Sequence, residues 1–294
     1  EVEQLFETLR KLKAQGCSIL YISHKLHEIV ALCETATILR GGKFVAACDP
    51  RRETSKSMAE LMIGANLKEI ARGAARTFGP IKFEAVRLNL PKRGDFGVAL
   101  KDISFAVRAG EILGVAGVEG NGQRTLVQAI AGLVDVAGGA IEMAGHDVTG
   151  RTLADRRQLG LRIIPFERNV EGLSLTSSLW ENWSARELLQ GPLLKLVSPA
   201  AIRALCDTAL KNWSVHYHSS TQKAGSLSGG NAQKVILARE VDADAKIIIA
   251  AQPTRGLDIG ATAFVWQSLR TARERGAAIL LISSDLDELF DISD

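Results

Sequence analysis

The stretch Leu227-Ser228-Gly229-Gly230-Asn231-Ala232-Gln233-Lys234 sets a hydroxyl, two glycines and an amide directly before the apolar-periodic run Val235-Ile236-Leu237-Ala238. A loop that turns into a helix leaves backbone N–H groups unpaired at the helix start. Together with the positive end of the helix dipole they attract phosphate. An ordinary N-cap on a Gly-rich turn has the same composition, so the rest of the chain must decide between the two. A second stretch of this kind, Gly117-Val118-Glu119-Gly120-Asn121-Gly122, lies between the apolar run at 112–116 and a helical pattern at 124–133. Strand, Gly-rich loop and helix in that order form a phosphate-binding arrangement.

A phosphate cradle of this type needs G-x-x-x-x-G-K-[ST]: glycines that let N–H groups wrap the phosphates, a Lys to neutralise them and a hydroxyl for Mg²⁺. Here Gln123 stands at the Lys position, Arg124 at the hydroxyl position, and Thr125 comes one place late. Exchanging a charged donor for a neutral one loses roughly 1.5–3 kcal/mol, or about ten- to a hundred-fold in affinity. Nucleotide binding at this loop is therefore expected to be weak or absent, with Arg124 as the available substitute charge. The competing reading is a Gly-rich turn that binds nothing. The apolar run Ile247-Ile248-Ile249-Ala250 ends in Ala251-Gln252, then Pro253-Thr254-Arg255-Gly256-Leu257-Asp258. A nucleotide hydrolase needs an Asp for the metal and a Glu for water there, and neither Ala nor an amide does that work. Leu280-Leu281-Ile282-Ser283 leads into Ser284 where a His beside the γ-phosphate is required.

The elements that position these residues follow from periodicity and turn chemistry. Helices are expected at 2–15, 25–33 and 55–63, and a buried strand at 17–23. A hairpin is expected at 35–47, turning at Gly41-Gly42. Strands follow at 82–86, 98–100, 103–107 and 112–116. Helical structure is expected from 173 to about 211, with Ser198-Pro199 as N-cap and first-turn pair. The remaining expectations are a helix at 227–240, a strand at 245–250 and a helix at 259–275.

The two ends of the chain repeat one another. Leu9-Arg10, Gly16, Ile19-Leu20, Ile22-Ser23, Leu26 and Glu28 match Leu269-Arg270, Gly276, Ile279-Leu280, Ile282-Ser283, Leu286 and Glu288, each pair 260 residues apart. One register for so many matches points to two tandem copies of a domain. The expected organisation is 1–64 as the C-terminal part of copy one, 65–80 as a linker and 81–294 as copy two. Ser284 of copy two aligns with His24 of copy one, which makes His24 a candidate catalytic residue. Glu1 opens inside a helical pattern and Asp294 closes as abruptly, so the chain is expected to be a piece of something longer.

With 294 residues, 46% hydrophobic and 23% charged, the composition is that of a globular protein with ample core. No run approaches the ~20 apolar residues of a membrane span. A net charge of +3 is too small to argue for nucleic acid or an acidic membrane surface as partner, and with the short linker it argues against ribosomes or DNA. Cys17, Cys33, Cys48 and Cys206 have neither metal-ligand nor redox spacing.

The order of Gly-rich loop, Leu-Ser-Gly-Gly signature, Ala-Gln-Pro-Thr-Arg-Gly-Leu-Asp and terminal Ile-Ser-x-x-Leu resembles an ATP-binding-cassette (ABC) ATPase. More narrowly it resembles the fused double-cassette ATPases of importers for simple sugars and nucleosides. In these, Gly-x-x-Gly-Asn-Gly-Gln-Arg replaces the second P-loop and Leu-Ser-Gly-Gly-Asn is the second signature. Ile22-Ser23-His24-Lys25-Leu26 is similar to the switch-His segment of the first cassette. The resemblance implies an α/β fold of the P-loop NTPase, ABC type, with an antiparallel β subdomain and a helical signature subdomain at about 170–240. It implies ATP as ligand, with Mg²⁺ at the competent site of the full-length protein. It further implies that Ser228, Gly229, Gly230 and Asn231 face the ATP held by the other cassette, which His24 also contacts. This piece alone is then expected to be inactive. The implied partners are the other cassette of the same chain, transmembrane permease subunits and, through them, an extracytoplasmic solute-binding protein. The implied location is the cytoplasmic face of the cell membrane, with the segment at 173–211 meeting the permease. Ala251-Gln252 in place of Asp-Glu looks more like the nucleoside branch. Pro165-Phe166-Glu167-Arg168 departs from the family's Pro-Glu-Asp-Arg, which leaves Glu167 as one candidate for sensing the γ-phosphate, and Phe96 is a candidate for stacking on adenine. A soluble tandem cassette acting on ribosomes or nucleic acid, and a non-catalytic interaction module, are the rival readings.

Overall fold

In the computed structural model, which describes residues 2–23, 25–40, 42–63, 77–92, 94, 97–190 and 198–294, the chain divides into two compact units. One comprises Glu1–Arg72 with Asp258–Ala263, the other Gly73–Leu257 with Phe264–Asp294.

The first unit runs α1 (Val2–Ala14), α2 (Leu26–Leu32), an antiparallel hairpin of β1 (Ala36–Arg40) and β2 (Lys43–Cys48), and α3 (Ser55–Ile63). Phe6, Ile38 and Met58 are its buried apolar anchors, and Phe6 meets Tyr21 edge-on with ring centroids 6.5 Å apart. The strand expected at 17–23 does not form: the segment is irregular, and Leu20 and Ile22 are each 89% exposed. A strand needs at least one neighbour to take its backbone hydrogen bonds, and no described strand pairs with these residues. Gly41 of the hairpin turn, residue 64, and 65–76 of the expected linker lie outside the described residues.

The second unit opens with β3 (Ile81–Leu90) and β4 (Leu100–Arg108), followed by β5 (Ile112–Ala116) and α4 (Gln123–Ala131). Next come β6 (Gly138–Met143), β7 (His146–Asp147), α5 (Leu153–Gln158), β8 (Leu161–Ile164) and a π-helical turn at Arg168–Gly172. The helices α6 (Leu179–Gln190), α7 (Pro199–Asn212) and α8 (Gly229–Glu240) form the helical part. The chain closes with β9 (Ile247–Ala251), α9 (Ile259–Glu274), β10 (Ala278–Ser283) and α10 (Leu286–Ile292). Residues 98–99 lie before β4 rather than in a strand, and the helical stretch from 173 begins only at Leu179. β6, β7 and β8 are not among the strands expected from the sequence. The leading Gly138-Gly139 of β6 has low strand propensity, and this strand forms because β3 supplies a partner some fifty residues away.

Two four-stranded sheets result, antiparallel β4-β3-β6-β7 and parallel β5-β10-β9-β8. β9 and β10 are buried at every position, as continuous apolar runs are when a parallel sheet is covered on both faces. Phe83, Leu88, Ile130, Ile141, Leu161 and Leu280 belong to one cluster that joins both sheets to α4. Within that core sits a guanidinium. Arg156, 1% exposed, donates to the carbonyls of Ala129 (2.9 Å) and Ile130 (2.7 Å), and also to those of Thr149 and Arg151. It thereby caps the end of α4, giving a donor to the Ile130 carbonyl and a second one to the Ala129 carbonyl that Gly132 N already meets.

Structural correspondence between the chain's ends is also visible. α2 and α10 stand 260 residues apart along their whole length, and α1 and α9 end in the same register. The amide of Lys25 bonds Ser23 Oγ at 3.0 Å, and that of Asp285 bonds Ser283 Oγ at 3.0 Å.

Candidate functional site

β5, β10 and β9 are adjacent and parallel, with Ser283 beside Ala116 and Ile282 beside Ala251. Their carboxyl ends therefore bring Gly117, Gln252 and Ser284 to one edge of the sheet, where open α/β sheets bind ligands. The loop after β5 turns on Gly120 (φ +96°) and Gly122 (φ +98°), left-handed conformations that glycine adopts without strain. It opens onto a cavity of about 390 Å³ lined by Gly120, Gln123, Thr125, Phe166 and Gln252 among others.

Gln123 does not project from this loop; it folds back into it. Its Oε1 accepts from the amide of Asn121 at 3.1 Å and its Nε2 donates to the carbonyl of Val118 at 3.0 Å. Nε2 lies only 2.4 Å from where a Cβ on Gly117 would stand. Arg124, the anticipated substitute charge, is committed elsewhere: it pairs with Glu171 and lies 5.0 Å from the centre of the Phe166 ring. Glu167 is engaged as well. Arg255 Nη1 bridges Glu167 (2.9 Å) and Glu119 (3.1 Å). Two guanidiniums thus face three carboxylates, Glu119, Glu167 and Glu171.

Gln252, at φ +50°, has its amide bonded to the carbonyl of Ile282 at 2.8 Å and its side chain to Ser284 Oγ at 3.1 Å. The two neutral replacements satisfy each other. The donor set does not fit Mg²⁺, which takes carboxylate and hydroxyl oxygens with water: amides occupy the key positions, and the nearby carboxylates are held by arginines. No step through that metal is assigned to this loop.

At the start of α8, Ser228 is the N-cap, its hydroxyl accepting from Asn231 N (3.4 Å) and Nδ2 (3.0 Å). Asn231 Oδ1 accepts from the amide of His216 at 2.9 Å, which fixes the turn against the loop before it. A groove of about 780 Å³ runs beside this turn, bordered by Lys211, His216, His218, Ser228 and Asn231. Gly229 lies under the Arg168 guanidinium: a Cβ there would stand 2.9 Å from Nη2, the end of a side chain that can shift. Arg168 in turn donates to the carbonyl of Arg255 at 2.6 Å, linking the signature turn to the loop after β9. The far end of α8 is anchored by buried Glu240, paired with Arg157 (3.2 Å) and Arg239 (2.8 Å). Asp242 pairs with Arg162 (3.1 Å) and Arg186 (2.5 Å) just beyond.

Of the anticipated residues, Glu119, Gly120, Gly122 to Thr125 and Gln252 line one cavity, Gly117, Val118 and Asn121 belong to the same loop, and Ser228 to Asn231 form a separate capped turn in the same unit. His24 and Phe96 lie outside the described residues. Sequence reasoning missed Arg255, Arg168 and Glu171 as partners. Arg255 sits inside a quoted motif, but nothing local reveals the acids it bridges.

A parallel sheet with a Gly-rich loop at its carboxyl edge, an antiparallel sheet beside it and a capped signature helix define an ATP-binding-cassette fold. The model described as ABC transporter matches residues 100–255, and the chain belongs to that family. Over 296 residues it is 36% identical to the nucleoside import ATP-binding protein NupA of Lactococcus lactis subsp. cremoris, covering all of this chain and 58% of the relative. It is 33% identical over 294 residues to the ribose import ATP-binding protein RbsA of Oceanobacillus iheyensis, again covering all of this chain and 58% of that protein. The chain thus spans little more than half the length of the curated relatives it matches. The ATP-binding cassette MJ0796, solved as a dimer in a post-hydrolysis state bound to ADP and Pi, superposes with a TM-score of 0.59 at 22% identity. That match covers 70% of this chain and 89% of the cassette. No helix among the described residues is long and apolar enough to cross a membrane.

Proposed function

We propose that this chain is part of the ATP-binding subunit of an ABC importer for nucleosides or simple sugars. In this reading residues 1–64 belong to a first cassette and 81–294 form a second whose own ATP site is degenerate. The second cassette offers Ser228, Gly229, Gly230 and Asn231 in trans to an ATP held by the first, where His24 also acts. The first cassette hydrolyses and the second closes over it. The partners are permease subunits at the cytoplasmic face of the membrane and, through them, an extracytoplasmic solute-binding protein. The import names of the relatives support this reading, and NupA together with Ala251-Gln252 favours nucleosides.

The observation that carries the asymmetry is the contrast within one unit. The signature turn is intact and capped by Ser228, while Gln123, Gln252 and Ser284 turn their bonds onto the protein itself. The matching Ser23 and Ser283 bonds support the tandem arrangement. In the two-cassette protein, Ser228→Arg is expected to lower ATP hydrolysis by about a hundred-fold or more, because it removes oriented donors at the γ-phosphate. Gln252→Ala is expected to leave the rate within about two-fold, since no transition-state contact is lost. Equal losses from both would mean that the sites are assigned the wrong way round.

A further inference from the structure

The loop after β5 has the shape of a phosphate cradle, yet two of its polar groups are already held by one side chain. Asn121, whose amide is one of the loop's donors, shares that amide between Gln123 Oε1 at 3.1 Å and the Val118 carbonyl at 3.3 Å. The carbonyl of Val118 takes Gln123 Nε2 at 3.0 Å. The space left by the missing Cβ of Gly117 holds that same nitrogen. One side-chain amide therefore meets a donor and an acceptor of the loop at once, which a phosphate, having only acceptor oxygens, would not reproduce.

The surroundings act in the same direction. A nucleotide's polyphosphate needs uncompensated positive charge, and the two guanidiniums nearby are shared among Glu119, Glu167 and Glu171. Net charge over these five groups is about −1, against a ligand carrying several negative charges. Freeing Arg124 would also separate it from the Phe166 ring.

We infer that Gln123 is a built-in occupant of the cradle and the residue that excludes polyphosphate from this site. This rests on the reading of 81–294 as a degenerate cassette, and it goes beyond the loss of a lysine. On loss of charge alone, shortening Gln123 changes nothing or weakens binding further. If the amide occupies the cradle, shortening it leaves the Asn121 amide only its longer 3.3 Å bond to the Val118 carbonyl and makes room. The two accounts predict opposite signs for one substitution.

The test is equilibrium binding of ATP and of inorganic tripolyphosphate to the 294-residue chain, read by calorimetry, for the wild type, Gln123→Ala and Gln123→Ser. Thermal melts confirm that each variant folds, and two different small side chains guard against one that does not. The wild type is expected to bind neither probe more tightly than about 1 mM. Both variants are expected to gain about ten-fold, the worth of a restored bond to a charged group. Amide exchange gives an independent reading: Asn121 is slow in the wild type and faster in both variants. Tight binding by the wild type overturns the inference, as do variants that bind no better than it or an Asn121 amide that exchanges alike in all three. These measurements need no first cassette. The trans reading fails instead if Ser228→Arg leaves hydrolysis by the two-cassette protein intact, so the two failures are distinct.

Discussion

The side-chain amide of Gln252 donates to Ser284 Oγ at 3.1 Å, joining the residues that leave β9 and β10. These strands are neighbours in a parallel sheet, so their first loop residues meet at its carboxyl edge. A carboxylate and an imidazole in these places would be set to handle water and γ-phosphate; a neutral amide and a hydroxyl hold only each other.

Gln252→Glu alone is accordingly expected to produce no ATP turnover by the 294-residue chain. The new carboxylate would accept from Ser284, but Ala251 still offers no metal ligand and Gln123 still fills the cradle. Phosphate release at the level of a protein-free blank is the expected result. Turnover above it would show that the amide at 252 is the only deficiency.

Arg156 is the buried charge on which α4 depends, with four carbonyls as its acceptors. Arg156→Met keeps much of the volume but removes the donor those acceptors share, only Ala129 keeping another in Gly132 N, and is expected to cost about 3 kcal/mol. Arg156→Lys is expected to recover little, because an ammonium cannot span the fork of the guanidinium. Urea unfolding with an unchanged slope and a lower midpoint would report this loss.

Tyr217 gives a pH signature. Burial first, then its 2.9 Å hydrogen bond to the Asp207 carboxylate and that group's charge, push its hydroxyl up to about 12 from the ordinary 10.0. The folded state thus favours the neutral phenol. That contribution is fully present below about pH 10 and is lost as pH rises toward 12. Unfolding midpoints should fall over this window in the wild type, and less steeply in Tyr217→Phe. Parallel profiles for the two proteins would contradict the assignment.

Much of the fold is legible in the chain because its signals are local. The apolar run at 247–251 suits only a buried strand or core segment, and Ser228 followed by two glycines caps a helix. Ser198-Pro199 starts another as its spacing predicts. The 260-residue register shows that 17–23 and 277–283 share a pattern, yet only the latter is a strand, since β10 has β5 and β9 to either side. A strand's stability belongs to its neighbours as much as to its residues.

The sequence by itself determined which residues stand at the chemically decisive positions: Gln123, Ala251, Gln252 and Ser284 where charge, metal and base are needed, and an unaltered signature at 227–231. Only the tertiary structure decided what those residues do instead. It turns Gln123 back into its own loop, joins Gln252 to Ser284 across two strands, and commits Arg124 and Arg255 to acids that lie 47 to 136 positions away. The physical reason is that a hydrogen bond or ion pair is fixed by distance and direction in space, while spacing along the chain fixes geometry only within a turn or a helix.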